Sequence, residues 1–130
     1  MDFLHPAGWP RAKGYSNGVA ARGRTLHISG MVGWDADCQF YSDDFTDQAH
    51  QALLNIVAVL AEGGAGPEHI VRLTWYVVDR AEYLAAGKAL GVAYRAVMGR
   101  HYPAMSALQV AGLMEARARV EIEATAMIPD

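Results

Sequence analysis

The sequence predicts one α+β domain, residues 1–130, in which two helices cover one face of a mixed β-sheet. The first observation is composition: 52% of the 130 residues are hydrophobic and 19% are charged, as in globular domains that bury their own core. The second is periodicity, because segments of two-residue hydrophobic period alternate with segments of helical period in the order β-β-α-β-α-β-β. The third is the glycine and polar turn residues that separate these segments.

Two strands are predicted at the start of this pattern, over residues 14–19 and 24–32. The four residues between them form a turn, in which Gly23 can take a positive φ without steric cost. We therefore expect the two strands to pair as a hairpin.

A long helix is predicted over residues 44–62. Apolar residues recur along it at helical spacing, which places them on one side, and two glycines after Glu62 stop the helix. The apolar positions are Phe45, Ala49, Ala52, Leu53, Ile56, Val59 and Leu60.

A strand and a second helix follow. Residues 69–78 are rich in β-branched and aromatic types, which favour a strand. Asp79, with Glu82 three residues later, resembles a capping box that starts a helix ending near Met98. Gly87 and Gly91 lie inside this helix and each cost about 1 kcal/mol relative to alanine, so we expect close packing at both.

The last two strands are predicted over residues 104–113 and 117–128, and alternate strand residues define two sheet faces. The predicted apolar face, which should receive both helices, carries Leu26, Ile28, Val32, Val71, Leu73, Trp75, Val77, Leu108, Val110, Val120, Ile122, Ala124 and Ala126. The predicted mixed face carries Thr25, His27, Ser29, Met31, Arg72, Thr74, Tyr76, Met105, Ala107, Gln109, Arg119, Glu121, Glu123 and Thr125. Its methionine, tyrosine and alanine content favours contact with another subunit over water.

Charge and cysteine content exclude several classes of function. The formal net charge is −3 and no run of like charges occurs, so we expect no nucleic-acid partner. Cys38 is the only cysteine, which excludes an internal disulfide. The first residues lack the basic and apolar stretches of a signal peptide, and no apolar run approaches the ~18 residues of a membrane span. We therefore expect a cytoplasmic protein that binds no membrane.

Five short segments, in order along nearly the whole chain, carry a family resemblance: Lys13-Gly14-Tyr15-Ser16-Asn17-Gly18, Ile28-Ser29-Gly30, residues 48–62, Tyr102-Pro103-Ala104-Met105-Ser106 and Val120-Glu121-Ile122-Glu123-Ala124. They resemble the tyrosine-bearing N-terminal motif, the Ser-Gly strand, the first helix, the Pro-Ala-Arg-Ser segment and the Val-Glu-Ile-Glu-Ala strand of the RidA (YjgF/UK114) family. Five motifs in one order, on the element pattern described above, are specific for a fold.

The resemblance implies a chorismate-mutase-like fold and a homotrimer whose sheets face a common centre, with pockets at the subunit boundaries. It also implies hydrolysis of a reactive enamine or imine to a ketone or aldehyde plus ammonia, without a metal or an organic cofactor. The predicted mixed sheet face agrees with burial against a second copy of the chain. The five histidines show no metal-ligand spacing, so we expect no metal site.

Glu121 and Tyr15 are the candidate catalytic residues that the resemblance implies. Imine hydrolysis needs a held water and a group that manages protons, and Glu121 matches the family position associated with that water. The alternative is a solvated or ion-paired strand glutamate, as we expect for Glu123. Tyr15 matches the pocket tyrosine or else packs at a subunit interface. Ser29 and the Gly30 N–H match a ligand-binding pair or else mark a kink in the strand.

Met105 is the main departure from the family pattern. The family's arginine at this position offers a bidentate fork to a substrate carboxylate, whereas a thioether offers no donor. Ala104 and Met105 belong to the segment expected to bind substrate, while Ala107 and Gly91 stand where members often carry a cysteine and a polar side chain. Losing the fork should cost about 2–5 kcal/mol in a desolvated site, so we expect weak activity towards 2-iminocarboxylates.

Two interpretations of Met105 remain open. In the first, the protein is an imine or enamine deaminase for a larger or apolar substrate, with Met105 as an adaptable wall. Trp34 then adds an aromatic wall or else packs within a hairpin, and Lys13 replaces the missing cation or is simply an exposed lysine. In the second, hydrolysis has been lost and a trimer binds a small metabolite or, like a chaperone, a hydrophobic partner. The matches at Tyr15 and Glu121 favour the first.

Overall fold

The computed structural model describes residues 1–130, and it confirms the α+β class. The elements are β1 (Asp2–Leu4), β2 (Gly18–Ala20), β3 (Arg24–Val32), α1 (Phe45–Glu62), β4 (Ile70–Val77), α2 (Arg80–Met98), β5 (Ala104–Gln109) and β6 (Val120–Ile128), with a short 3₁₀ turn, Pro67–His69, before β4. Neither helix combines the length and the apolar character that crossing a bilayer requires.

The main sheet has the strand order β3-β6-β4-β5. Strand β6 is antiparallel to both β3 and β4, whereas β5 runs parallel to β4, so the sheet is mixed, as predicted. The long α2 helix supplies the crossover that a parallel β4–β5 pair requires.

The predicted hairpin between the first two strands is wrong. Strand β2 covers only Gly18–Ala20, and it pairs antiparallel with β1, a strand that we did not predict. Strand β3, which follows the turn at Gly23, instead pairs with β6, and Arg24 lies opposite Ile128. A Cβ at Gly23 would lie 1.8 Å from the carbonyl oxygen of Ile128, and φ there is +135°, so only glycine fits this close approach.

Both helices pack on one face of the main sheet, around a single cluster of buried side chains. Helix α1 begins at an Asp44 cap that accepts the N–H of Asp47, and the carboxylate of Asp79 caps α2 in the same way. Trp75 is 2% exposed, as expected of a core residue. The cluster contains Ile28, Phe45, Ala49, Ala52, Leu53, Ile56, Leu60, Ile70, Leu73, Trp75, Val77, Tyr94, Met98, Val120, Ile122, Ala124 and Ala126.

Bulges in two strands change the predicted assignment of residues to faces. The register of β3 shifts between Ile28 and Met31, so Met31 pairs with Ile122 and packs against the core; its predicted place on the mixed face is wrong. The register of β4 shifts just after Ile70, and Ile70, not Val71, is fully buried. An extra residue in one strand reverses the alternation beyond it, which a strict two-residue period cannot represent.

The predicted phase of β5 is also wrong. Met105 pairs with the buried Leu73, and it packs against the core on the helix-covered side of the sheet. Leu108, predicted to be apolar-facing, pairs with Tyr76 and is 43% exposed. Residues 104–109 alternate too weakly in hydrophobicity to specify a face, so the register with β4 decides it.

Candidate active site

Glu121 occupies the middle of the main sheet, on the face opposite the helices. It lies in β6, opposite Val32 of β3 and Tyr76 of β4. Its carboxylate is half-buried and makes no ion pair with any Lys, Arg or His of the chain. The carboxylate is therefore free to accept a proton or orient a water molecule.

The backbone of Gly30 lies next to this carboxylate. A Cβ at Gly30 would lie 2.6 Å from Oε2 of Glu121, closer than a side chain can approach. The close approach occurs in the β3 bulge, between the paired residues Ile28 and Met31, and Ser29 lies exposed in the same bulge. The bulge thus brings the exposed residues Ser29 and Gly30 next to the half-buried carboxylate of Glu121 on the mixed face.

Glu123, two residues further along β6, has a different environment. The hydroxyl of Tyr76 donates a hydrogen bond to Oε1 of Glu123 at 2.8 Å. This bond to a carboxylate raises the pKa of the Tyr76 phenol, which stays neutral at physiological pH. Glu123 thus accepts a hydrogen bond from a neighbour on the sheet but forms no ion pair, whereas no side chain of the chain bonds to Glu121.

A cavity of about 340 Å³ lies on the other face of the sheet, between α2 and strands β4 and β5. Met105 and Trp75 contribute the sheet wall, and the segment before Tyr15 borders it. The full lining is Lys13, Gly14, Trp75, Tyr83, Leu84, Gly87, Leu90, Gly91, Tyr94, Arg95, Tyr102 and Met105. Seven of these residues are hydrophobic, so the cavity favours a ligand with an apolar body.

The N-terminal segment reaches this cavity because it runs beside the start of β5. The N–H of Ser16 donates to the carbonyl of Pro103 at 3.0 Å, and Ser16 forms a bridge with Ala104. Lys13 is exposed, as one of our two interpretations expects, and it also lines the cavity. Tyr15 is 39% exposed beside the cavity and is not part of its wall.

Helix α2 departs from regular geometry where it borders the cavity. The backbone at Gly87 leaves helical φ and ψ values, and no atom lies within 4 Å of a Cβ placed there. The expectation of close packing is therefore wrong for Gly87. It is correct for Gly91, because a Cβ there would lie 3.2 Å from the guanidinium of Arg95.

The predicted site residues thus fall into two groups within one chain. Ser29, Gly30 and Glu121 lie on the mixed face, whereas Met105 lies on the helix-covered face with the cavity. We expected Met105 and Glu121 to share a face. This is wrong, because the register of β5 with β4 turns Met105 towards the helices. A single chain therefore does not bring the two groups together across its own sheet.

Three further candidate residues are outside the cavity wall. Ala107 pairs with Trp75 on β4, and Ala104 pairs with Arg72 on the opposite side from Met105. The ring of Trp34 packs against that of Phe40, with 5.7 Å between the ring centroids. The backbone carbonyl of Trp34 accepts the side-chain N–H of Asn55 at 2.7 Å. Trp34 thus packs locally in the loop between β3 and α1, which is not part of a hairpin.

Sequence reasoning missed the contribution of α2 to the cavity, including Arg95 and Tyr83. The available signal was the spacing of Leu84, Gly87, Gly91 and Arg95, which repeats at three or four residues and marks one side of a helix. Burial raises the pKa of the Tyr83 phenol, so it remains a neutral hydrogen-bonding group. No cluster of three or more His, Cys, Asp or Glu side chains has the geometry to hold a metal ion.

Comparison with known proteins identifies a matching family and similar sequences and structures. The family model described as endoribonuclease L-PSP matches residues 9–128. A RutC family protein of Leuconostoc mesenteroides is 32% identical over 119 residues, which cover 91% of this chain and 91% of the relative. The 2-iminobutanoate/2-iminopropanoate deaminase of Capra hircus is 35% identical over 105 residues, 80% of this chain and 73% of the relative. The crystal structure of YyfB from Yersinia pestis, a protein of unknown function in the Rid family, superposes with a TM-score of 0.84 at 34% identity and covers 98% of each chain.

Proposed function

This chain belongs to the RidA (YjgF/UK114) family, and from that premise we propose that it hydrolyses a reactive imine or enamine to a carbonyl compound and ammonia. The observation that carries the proposal is the unpaired carboxylate of Glu121, held against the Gly30 backbone in the β3 bulge. The deaminase from Capra hircus supports the reaction class, since its name specifies 2-imino acids as substrates.

The proposed reaction uses Glu121 as the proton-handling group. Water attacks the carbon of the C=N bond while Glu121 accepts a proton from it, and this proton then passes to the nitrogen. The hydroxyl proton of the resulting carbinolamine then passes through Glu121 to the amine nitrogen as the C–N bond breaks, so that ammonia departs and a carbonyl product remains. In this proposal Ser29 and the N–H of Gly30, which lie beside the carboxylate, orient the substrate. We propose that no metal or organic cofactor takes part.

We propose the homotrimer that the family resemblance implies, because its subunit boundaries would bring together the two groups of residues that one chain keeps apart. The group around Glu121 is exposed on the mixed face of one chain, and the cavity at Met105 opens on the other side of the same sheet. In a closed ring, the mixed face of one chain can meet the cavity edge and Tyr15 of the next copy. Tyr15 is then a substrate-orienting residue at the subunit boundary.

We propose that the preferred substrate is not a 2-iminocarboxylate of the kind named for the Capra hircus relative. Met105 has no hydrogen-bond donor, and it borders a cavity whose lining is mostly apolar. A substrate carboxylate next to the C=N carbon would therefore lose a contact worth about 2–5 kcal/mol in a desolvated site. A bulkier imine or enamine, packed against the thioether, suits this wall better.

The alternative is a trimer without catalytic activity that binds a small metabolite or acts as a chaperone. The family model's description also names an endoribonuclease, but the net charge of −3 offers little general attraction to a phosphate backbone. Release of ammonia from a panel of freshly generated imines and enamines tests the proposal directly. The Glu121→Gln protein, which loses the proton acceptor without a change in size, is the control for non-enzymatic decay.

A further inference from the structure

The charged side chains in the wall of the cavity beside α2 are all positive. Lys13 and Arg95 are the only ionisable cationic side chains in its wall, and no aspartate or glutamate lines it. The remaining lining is aromatic, aliphatic or glycine. A positive, partly apolar cavity of about 340 Å³ is suited to a small organic anion.

The guanidinium of Arg95 is available for such a ligand. Arg95 is exposed and forms no ion pair, unlike Arg117 and Arg119, which pair with Asp43 and Glu82. Its Nη1 lies 3.2 Å from the position that a Cβ would take at Gly91, so the absence of a side chain at residue 91 leaves room for the fork along the helix. The planar guanidinium matches a carboxylate in two parallel hydrogen bonds.

Trp75 forms a buried part of the cavity wall. It lines the cavity and is 2% exposed, and its indole N–H is the one buried side-chain polar group without a hydrogen-bond partner. Buried donors are normally paired, because an unpaired one keeps its desolvation penalty. Tyr83 adds a second aromatic surface, with its ring centroid 6.2 Å from that of Trp75. Trp75 and Tyr83 thus give the cavity an aromatic surface for the apolar body of a ligand.

We propose that this cavity binds an organic carboxylate with an aromatic or apolar body, and that Arg95 anchors its acidic group from helix α2. Resting on the proposed function, this identifies the substrate class as an imine or enamine whose acidic group is separate from the C=N carbon. Arg95 is a specificity-determining residue in that scheme, and Lys13 adds a second positive charge at the cavity edge. The role that the family gives to an arginine at position 105 is thereby transferred to a different element of the fold.

Binding of phenylacetate, compared with its neutral isostere phenylacetamide, tests the inference without requiring turnover. Calorimetry on the assembled wild-type protein should give at least roughly tenfold tighter binding of the acid, the usual gain from a charged hydrogen bond. The indole N–H resonance of Trp75, assigned with Trp75→Phe, should shift on binding. Arg95→Gln should abolish the preference for the acid, whereas Arg100→Gln, just beyond α2 and outside the cavity wall, should retain it.

Equal affinity for acid and amide, an unchanged preference in Arg95→Gln, or no binding to the wild-type protein would each overturn the inference. Glu121→Gln separates it from the proposed function, because that variant should still bind phenylacetate. Arg95-dependent binding without ammonia release from any imine would defeat the hydrolase proposal and leave this inference intact. If Arg95→Gln leaves the rate of ammonia release unchanged for acidic and neutral imines alike, the inference is overturned and the hydrolase proposal stands.

Discussion

The Cα of Gly30 lies directly beneath the carboxylate of Glu121, so that a Cβ at residue 30 would be 2.6 Å from Oε2. The contact exists because the β3 strand bulges between Ile28 and Met31 where it passes β6. Bulges commonly lie next to functional sites, where they redirect one or two residues of a strand. Here the bulge places the exposed residues Ser29 and Gly30 beside the half-buried carboxylate of Glu121.

Gly30→Ala should therefore displace the Glu121 carboxylate. A shift of about 1 Å in a catalytic group costs roughly a hundredfold in rate, so we expect a loss of turnover of that order with the fold retained. Steady-state ammonia release and the circular dichroism spectrum measure the two effects. Gly18→Ala is the matched control, since a Cβ at residue 18 would make only an ordinary 3.4 Å contact with Leu4. Equal activity of both variants would remove the Gly30 contact from the mechanism.

Met105→Arg should confer activity towards 2-iminopropionate that the wild-type protein largely lacks. The new side chain would enter the cavity wall with the bidentate donor that the thioether does not have. We expect kcat/KM for this substrate to rise at least tenfold, the equivalent of about 1.4 kcal/mol. Met105→Leu, which also changes the thioether but adds no charge, should show no such gain. A wild-type rate that already exceeds that of Met105→Arg would contradict our interpretation of position 105.

Gln48 should be essential for stability, because its side chain ties helix α1 to the start of β6. It is 1% exposed; its Nε2 donates to the carbonyls of Ser42 and Arg117 at 3.0 Å, and its Oε1 accepts the N–H of Arg119 at 2.8 Å. Gln48→Leu leaves these backbone groups unpaired, so we expect a loss of about 3 kcal/mol in the free energy of unfolding.

Urea denaturation measures that loss. The matched control is Gln51→Leu, because the Nε2 of Gln51 bonds only the side chain of Asn55, one turn along the same helix. We expect that variant to stay within about 0.5 kcal/mol of the wild type. Similar stabilities for the two variants would show that the Gln48 bonds contribute little.

The element pattern could be predicted from the sequence because it follows from hydrophobic periodicity and caps. Helix α1 was predicted over residues 44–62 and runs Phe45–Glu62, and α2 was predicted from Asp79 to about Met98 and runs Arg80–Met98. The strand faces were less predictable. The bulge before Met31 and the parallel pairing that turns Met105 towards the helices both depend on contacts between distant segments.

The candidate site was predictable only where a motif carried it. Gly30 and Glu121 lie in separate motifs, and the structure brings them into contact. Arg95 belongs to no motif, and an exposed arginine on a helix is ordinary in any sequence. Its place in the wall of the same cavity as Met105 depends on where α2 lies relative to the sheet, which hydrophobic periodicity alone does not specify.

Light scattering should give a mass of about three chains, each of 14.1 kDa, if the chain forms the proposed homotrimer. The two groups of site residues lie on opposite faces of one chain's sheet, so a shared site requires more than one copy. The mass should stay constant on dilution through the concentrations used for assays. A monomeric mass in an active preparation would contradict a site shared between subunits, since one chain would then have to provide it alone.

The central claim is that Glu121 drives hydrolysis of an imine or enamine other than the common 2-iminocarboxylates. Ammonia release from a panel of such compounds, with and without a bulky or remote acidic group, tests it most directly. We expect turnover of at least one bulky imine, little acceleration for 2-iminopropionate, and a loss of roughly 10²–10⁴-fold in Glu121→Gln. Glu123→Gln, in which the amide oxygen can still accept the Tyr76 hydroxyl, should remain active. Ammonia release no faster than the uncatalysed rate across the panel, or equal rates in Glu121→Gln and the wild type, would contradict the claim.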